Sequence, residues 1–304
     1  MNTPELVSAI DQTVHIVAAF TRDGQGGNPA AVVLDADQLS ETEMQAIATR
    51  TGLSETAFVS HSATEGAKLD FFTPNRRIAH CGHATIATFA LLRAEGRIGE
   101  GPTSKQTIDG PRRIMIEGGE VFMEQQPPQY HPPSVWQQDG VDLAEVLDSL
   151  GLTAEQLDPR FTPHRVSTGN RFLVIAVRSA ADLAAINPDY PTIDRISEAL
   201  DLIGYYLFIT DSTEFGEDAT SRMFAPRYGI SEESATGMAA GPLASVLHDF
   251  FGIKRDRITL GQGRFMQPPA PSLIEVRLTV ENDSIVGVIA GGRGQLMETV
   301  TVTV

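Results

Sequence analysis

Four residues in a row open the question of chemistry in this chain: His80, Cys81, Gly82 and His83. A cysteine placed where a helix starts has its thiolate stabilised and could act as a nucleophile or base. A buried cysteine that is merely a small hydrophobe fits the same residues. His83 has the titration range for acid/base work, and it also fits a helix cap. A carboxylate, Glu55, stands in GLSETAFV between a polar turn and an apolar run. In a partly apolar cleft its pKa would be raised and it could move protons; on a turn it would be a solvated side chain. A metal site needs three or four ligands at suitable spacing. Two histidines flanking the sole cysteine fall short of that, and no metal is expected.

The segments CGHATIATFALL and TGMAAGPLASVL share a pattern: a small or reactive residue, then glycine, then small residues, then an apolar helix. The helices would start at Gly82 and Gly237. N–H groups at a helix start lack internal partners, and the macrodipole favours an anion there. Two such starts facing each other would converge on a carboxylate. Close helix packing would explain the same small residues. The likeness is a weak internal duplication.

Strands and helices must position these groups. VHIVAAF (Val14–Phe20) and AAVVL (Ala30–Leu34) read as buried strands. Ser40 and Glu43 form a capping box before a helix whose apolar face is Met44, Ile47 and Ala48, with Gly52 at its end. SETAFVSH and LDFFT read as strands, and IMIEG and EVFMEQ as a hairpin through Gly118-Gly119. The ten residues QQPPQYHPPS hold four prolines, which continue neither a strand nor a helix. The domain boundary is placed there, giving domains 1–128 and 129–304, with the last strands free to cross back to the first. Beyond it VDLAEVLDSLG reads as a helix. RVSTGNRFLVIAV, YYLFIT, SRMFAP, IEVRLTV and IVGVIAGG read as strands.

Composition narrows the function. The 304 residues are 41% hydrophobic and 20% charged, as in a folded globular protein. The net charge of −16 comes without a Lys/Arg cluster. Nucleic acid and anionic membrane surfaces are therefore not expected as partners. A single cysteine forms no internal disulfide, the first twenty residues carry no basic leader, and no run of about 18 apolar residues occurs. The protein reads as cytoplasmic. GQGGNP lacks the third glycine of a dinucleotide fingerprint, GGRGQ opens no helix, and neither a phosphate loop nor a Gly-x-Ser-x-Gly elbow is present. No cofactor is expected.

Taken in order, GGNPAAVVLDADQLSETEMQAIATRTGLSETAFV, FFTPNRRIAHCGHATIATFALL, RVSTGNRFLVIAV, SRMFAPRYGISEESATGMAAGPLASVL and LGQGRFMQPP resemble the PhzF-like family of phenazine biosynthesis. That family is related in fold to diaminopimelate epimerase and proline racemase. The resemblance runs from about Val14 to about Gly292. It implies an α/β (α+β) fold of two similar domains, each a mixed, mostly antiparallel sheet curled around a central helix. It also implies an active site in the cleft between them, no cofactor, and commonly a homodimer. Its chemistry is a proton shift: a glutamate takes a proton from one carbon and returns it to another. That glutamate matches Glu55, and the family's Gly-His matches Gly82-His83. Backbone N–H groups around Gly82 and Gly237 would hold the substrate carboxylate. Asn28, Cys81, Thr236 and Met238 join the substrate-binding set. Glu233 would share with His83 the positioning of substrate or the shuttling of protons.

The departures from the family pattern bear on the substrate. The family's EDPATGSA reads EESATGMA here. Glu233 replaces an aspartate and Ser234 a proline. Met238 replaces a serine, and a thioether cannot donate a hydrogen bond. The later MGRPS-like segment reads MQPPAPS. These changes imply retained proton transfer on a changed substrate. The epimerase relatives use one cysteine on each central helix; the matching positions here are Cys81 and Thr236. Threonine cannot serve as a second thiol base. The expected activity is a cofactor-independent isomerase acting on a small carboxylic or amino acid, with Glu55 as general acid/base. The alternatives are a Cys81/Thr236 epimerase or dehydratase of an amino acid, or a non-catalytic small-molecule binding protein.

Overall fold

The structure, a computed structural model, describes residues 11–210 and 216–304. Residues 1–10, which bear on the absence of a leader, lie outside the described residues. The chain groups into two units. Unit 1 holds the residues up to Ala19, Pro29–Val121 and Gly294–Val304; unit 2 holds Phe20–Asn28 and Phe122–Arg293. The division is not a single cut in the sequence. It falls inside the strand Glu120–Gln125, and the final strand, Gly294–Thr303, belongs with unit 1.

In unit 1 the strand Asp11–Ala19 pairs antiparallel with Gly294–Thr303. Ala31–Val33 runs parallel to Thr56–Phe58, which in turn is antiparallel to the Ala67–Phe72 strand. Gly101–Thr107 and Gly110–Glu117 close an antiparallel hairpin. The helix Glu41–Thr51 begins with the expected capping box. Glu43 N–H donates to Ser40 Oγ at 3.3 Å, and Ser40 N–H donates to Glu43 Oε2 at 2.7 Å. Its face of Met44, Ile47 and Ala48 packs with Val14, Phe58 and Phe72. Burying a side chain such as Ile47 contributes about 1.5–3 kcal/mol. The chain leaves the helix at Gly52, whose φ of 72° suits a residue without Cβ.

The helix Gly82–Ala94 is buried at every residue from Gly82 to Leu92, and a helix apolar on all sides belongs in a core. It packs against the strands Asp11–Ala19, Thr56–Ser60 and Gly294–Thr303. Gly294 lets the last strand pass close: a Cβ there would lie 2.5 Å from that of Ala90. The glycine-rich GGRGQ segment thus serves helix–strand packing.

The strands of unit 2 are mixed, with antiparallel pairs in the majority. From Gln129–His131 the pairing runs through His164–Ser167 and Arg171–Ala176 to Gly204–Ile209, Ala219–Phe224, Arg257–Gln262, Ser272–Glu281 and Ser284–Gly292. Two neighbour pairs are parallel: Arg171–Ala176 with Gly204–Ile209, and Ala219–Phe224 with Arg257–Gln262. The helix Gly237–Phe250 packs on four of these strands and is buried along most of its length. On the sheet's other elements a core of Trp136, Leu173, Ile193, Ile196, Tyr205 and Leu207 includes the amphipathic helix Tyr190–Ala199.

The proline-rich segment is structured rather than a bare linker. Gln129–His131, between its two proline pairs, forms an edge strand against Arg165–Ser167. Pro133 opens the short helix Pro133–Trp136. Proline is tolerated at both places: an outer strand leaves N–H groups unpaired, and the first helical turn has no use for them.

Candidate active site

In unit 1 three expected site residues come together. Glu55 ends the turn before the strand Thr56–Ser60, and its carbonyl accepts from Ala31 N–H at 3.0 Å. Cys81 is the N-cap of the Gly82–Ala94 helix and His83 lies in its first turn. Glu55 Oε2 is 3.3 Å from His83 Nε2, and Cys81 Sγ is 3.6 Å from His83 Nδ1. All three are buried.

Burial pushes the Glu55 carboxyl up, but the hydrogen bond and charge of His83, with a further hydrogen bond from Ser54, outweigh it. The net position is below the ordinary carboxylate range. The sequence suggested a raised carboxyl from an apolar surrounding; the histidine on the helix start reverses that. The cysteine departs from expectation in the opposite sense. Burial pushes the Cys81 thiol up, the Glu55 charge adds to it, and His83 offsets only part. A helix start stabilises a thiolate, yet here desolvation dominates.

An ionised Glu55 only accepts, so the proton between the two groups is on His83 Nε2. Nδ1 of the same ring faces the Cys81 thiol. One imidazole therefore joins the carboxylate and the thiol. One donor atom from each of the three residues lies within 4.8 Å of the other two.

In unit 2 the second set of expected residues gathers at the start of the Gly237–Phe250 helix. Glu233 Oε1 accepts from Asn28 Nδ2 at 2.9 Å, and Glu233 Oε2 accepts from the Thr236 hydroxyl at 2.6 Å. Asn28 Nδ2 also donates to the Ala235 carbonyl at 2.9 Å. Glu232, the preceding residue, turns the other way and forms a two-pronged pair with Arg222, at 2.8 Å on each arm. Thus two consecutive glutamates divide their tasks, one bracing the fold and one lying at the helix start. Thr236, with its hydroxyl committed to Glu233, caps no helix N–H. Gly237 leaves room for Phe20, since a Cβ would lie 2.8 Å from the ring. The Met238 sulfur accepts from Asn170 Nδ2 at 3.3 Å.

Several supporting residues escaped the sequence reading. Gln262 donates to the Glu233 carbonyl at 2.7 Å and accepts from Thr236 N–H at 3.0 Å, so it holds both residues at the helix start. Tyr206 donates to the same Gln262 oxygen at 3.0 Å. Lys105 is buried beside His80 and Thr85. Its signal was available: in TSKQT it alternates onto the same strand face as Thr107, which is also buried. A lone lysine in a polar strand reads as solvated, and only packing shows otherwise.

Comparison with known proteins places the chain. A family model described as "Phenazine biosynthesis-like protein" (PhzC-PhzF) matches residues 17–298. The protein named uncharacterized isomerase YddE of Escherichia coli O157:H7 is 32% identical, over 89% of this chain and 91% of its own. The trans-2,3-dihydro-3-hydroxyanthranilate isomerase of Pseudomonas chlororaphis is 31% identical, over 92% of this chain and 95% of its own. Among solved structures, a phenazine biosynthesis protein of the PhzF family from Bacillus anthracis superposes with a TM-score of 0.85 at 25% identity. It covers 97% of this chain and all of its own.

Proposed function

Since the chain belongs to the PhzC-PhzF family of phenazine biosynthesis-like proteins and is an isomerase of that type, we propose that Glu55 is its general acid/base. It would move a carbon-bound proton on a small carboxylic or amino acid without a cofactor. The observation that carries this reading is a buried glutamate held ionised by His83. A carboxylate with its own N–H donor is ready to accept a proton from carbon. Held below the ordinary range, it is a stronger acid than a free carboxyl once protonated, so it can give the proton back at a second carbon. His83 keeps the carboxylate oriented through Nε2–H. Backbone N–H groups at Gly82 would bind the substrate's carboxylate. The Asn28–Glu233–Thr236 group, with Gly237 and Met238, would bind a polar part of a ligand.

The relative from Pseudomonas chlororaphis is named for a dihydro-hydroxyanthranilate. Met238, whose sulfur already accepts from Asn170, offers no hydroxyl to such a ligand and supports a different acid as substrate. The raised Cys81 thiol and the committed Thr236 hydroxyl support Glu55 over a Cys81/Thr236 epimerase or dehydratase.

The test is proton exchange in deuterated water with a panel of small carboxylates, including dihydroaromatic acids and hydroxy-amino acids, followed by NMR. Glu55→Gln is expected to slow deuterium incorporation about a hundredfold or more while Cys81→Ser retains it. Exchange kept by Glu55→Gln and lost by Cys81→Ser would move the chemistry to the cysteine. Ligand binding with no exchange in the wild type would favour a binding protein.

A further inference from the structure

Lys105 has no part in the chemistry assigned to Glu55, yet it is 0% exposed. Among the described residues no carboxylate forms an ion pair with it. A buried ammonium without a counter-charge is costly, and a methionine of similar length would fill the same space at lower cost. Its contacts are specific. Nζ donates to Thr85 Oγ1 at 2.6 Å, lies 3.0 Å from His80 Nδ1, and sits 5.0 Å from the centre of the Phe71 ring. The Thr85 hydroxyl donates in turn to the Cys81 carbonyl at 2.5 Å. Lys105 therefore grips two consecutive residues, His80 by its imidazole and Cys81 through Thr85. These lead directly into Gly82 and His83.

We propose that Lys105 is a positioning residue of the Glu55–His83–Cys81 site, fixing the His80–Cys81 segment from the buried side. This rests on reading those three residues as the site. The titratable and charged groups around Lys105 are His80 and Cys81 before the helix and Arg112 on the neighbouring strand; the Ala67–Phe72 strand presents the Phe71 ring. Those around Cys81 are His83, Glu55 and Lys105. Burial, with Lys105 and Arg112 nearby, pushes His80 down to about 3, so its ring is neutral and accepts from the ammonium.

The test needs no substrate. Cys81 is the sole cysteine, so its alkylation by iodoacetamide can be followed in the full chain by intact mass across a pH series. The Lys105→Met variant is expected to speed alkylation about tenfold with the midpoint unmoved, because the released His80–Cys81 segment opens the buried thiol to the reagent. Thr85→Val speeds alkylation likewise, and Thr85→Ser, which keeps the hydroxyl, keeps the wild-type rate. The double variant Lys105→Met/Thr85→Val adds little to Lys105→Met, because the two act through one contact. Circular dichroism establishes that each variant is folded. An unchanged alkylation rate in folded Lys105→Met overturns the proposal, and so does a Thr85→Ser rate as fast as that of Thr85→Val, the mark of mere loosening. Should Lys105→Met fail to fold, the Thr85→Val and Thr85→Ser pair decides by the same criterion. A failed Glu55 assignment would appear as proton exchange kept by Glu55→Gln, an independent readout that leaves the Cys81 profile in place.

Discussion

Glu55 and His83 meet at 3.3 Å, carboxylate oxygen to Nε2, while the same imidazole offers Nδ1 to the Cys81 thiol. One ring thus joins a carboxylate held below its ordinary range to a thiol held above its own. The two shifts place the negative charge at rest on Glu55.

That charge depends on the histidine. In His83→Ala the hydrogen bond and charge of the histidine are gone, and burial, opposed only by the Ser54 hydrogen bond, pushes the carboxyl up. The acid limb of the rate profile, expected below 4.5 in the wild type, should move above 4.5. A pH–rate profile for deuterium incorporation checks this; an unmoved limb would detach the histidine from the carboxylate.

The same shift has a sign in stability. Glu55 is more acidic folded than unfolded, so its ionisation stabilises the fold at pH values above the unfolded pKa. The contribution is lost as pH falls through the lower folded value. The stability gap between wild type and Glu55→Gln should therefore be constant at neutral pH and narrow on acidification below 4.5. Urea denaturation at a series of pH values measures the gap.

Lys105 carries the opposite kind of dependence. Burial is the largest influence on it and the nearby Arg112 adds to it, while Cys81 opposes; together they bring it from 10.5 to about 7. Between these values the unfolded chain binds a proton that the folded chain does not, so stability rises with pH there. Below about 7 both states are charged and the full desolvation cost applies. Relative to Lys105→Met, the wild type should gain in Tm from pH 7 to pH 10 and show no trend below pH 7. A scan of the Tm difference against pH tests this.

Gly241 tests the packing of the second buried helix. A Cβ there would lie 2.0 Å from Gln125 Oε1 and 3.1 Å from Val288 Cγ1. Gln125 cannot swing away freely, because its amide donates to the Gly237 carbonyl at 2.8 Å and its oxygen accepts from Thr168 at 2.6 Å. Gly241→Ala should cost about 1–3 kcal/mol of stability by overpacking. Equilibrium denaturation reads the loss, and a neutral result would show that Gln125 relaxes.

Much of this protein is legible in its residues one segment at a time. The capping box at Ser40, the stop at Gly52, the apolar runs and the two glycine-led helices are local patterns, set by hydrogen-bond capping, backbone freedom and side-chain period. They mark Glu55, Cys81, His83, Glu233 and Thr236 as groups worth watching. The direction of each shift was not local. Glu55 is lowered because a histidine 28 positions along the chain meets its carboxylate, and Cys81 is raised because the helix behind it is buried on every side. Glu232 and Glu233 are neighbours of the same type, and only the placement of Arg222, Asn28 and Thr236 separates their tasks. Lys105 reads as solvated in its strand and is dry in the fold. Periodicity reports which face a residue takes, whereas charge and protonation depend on what other chain segments bring to that face, and that is decided by tertiary packing alone.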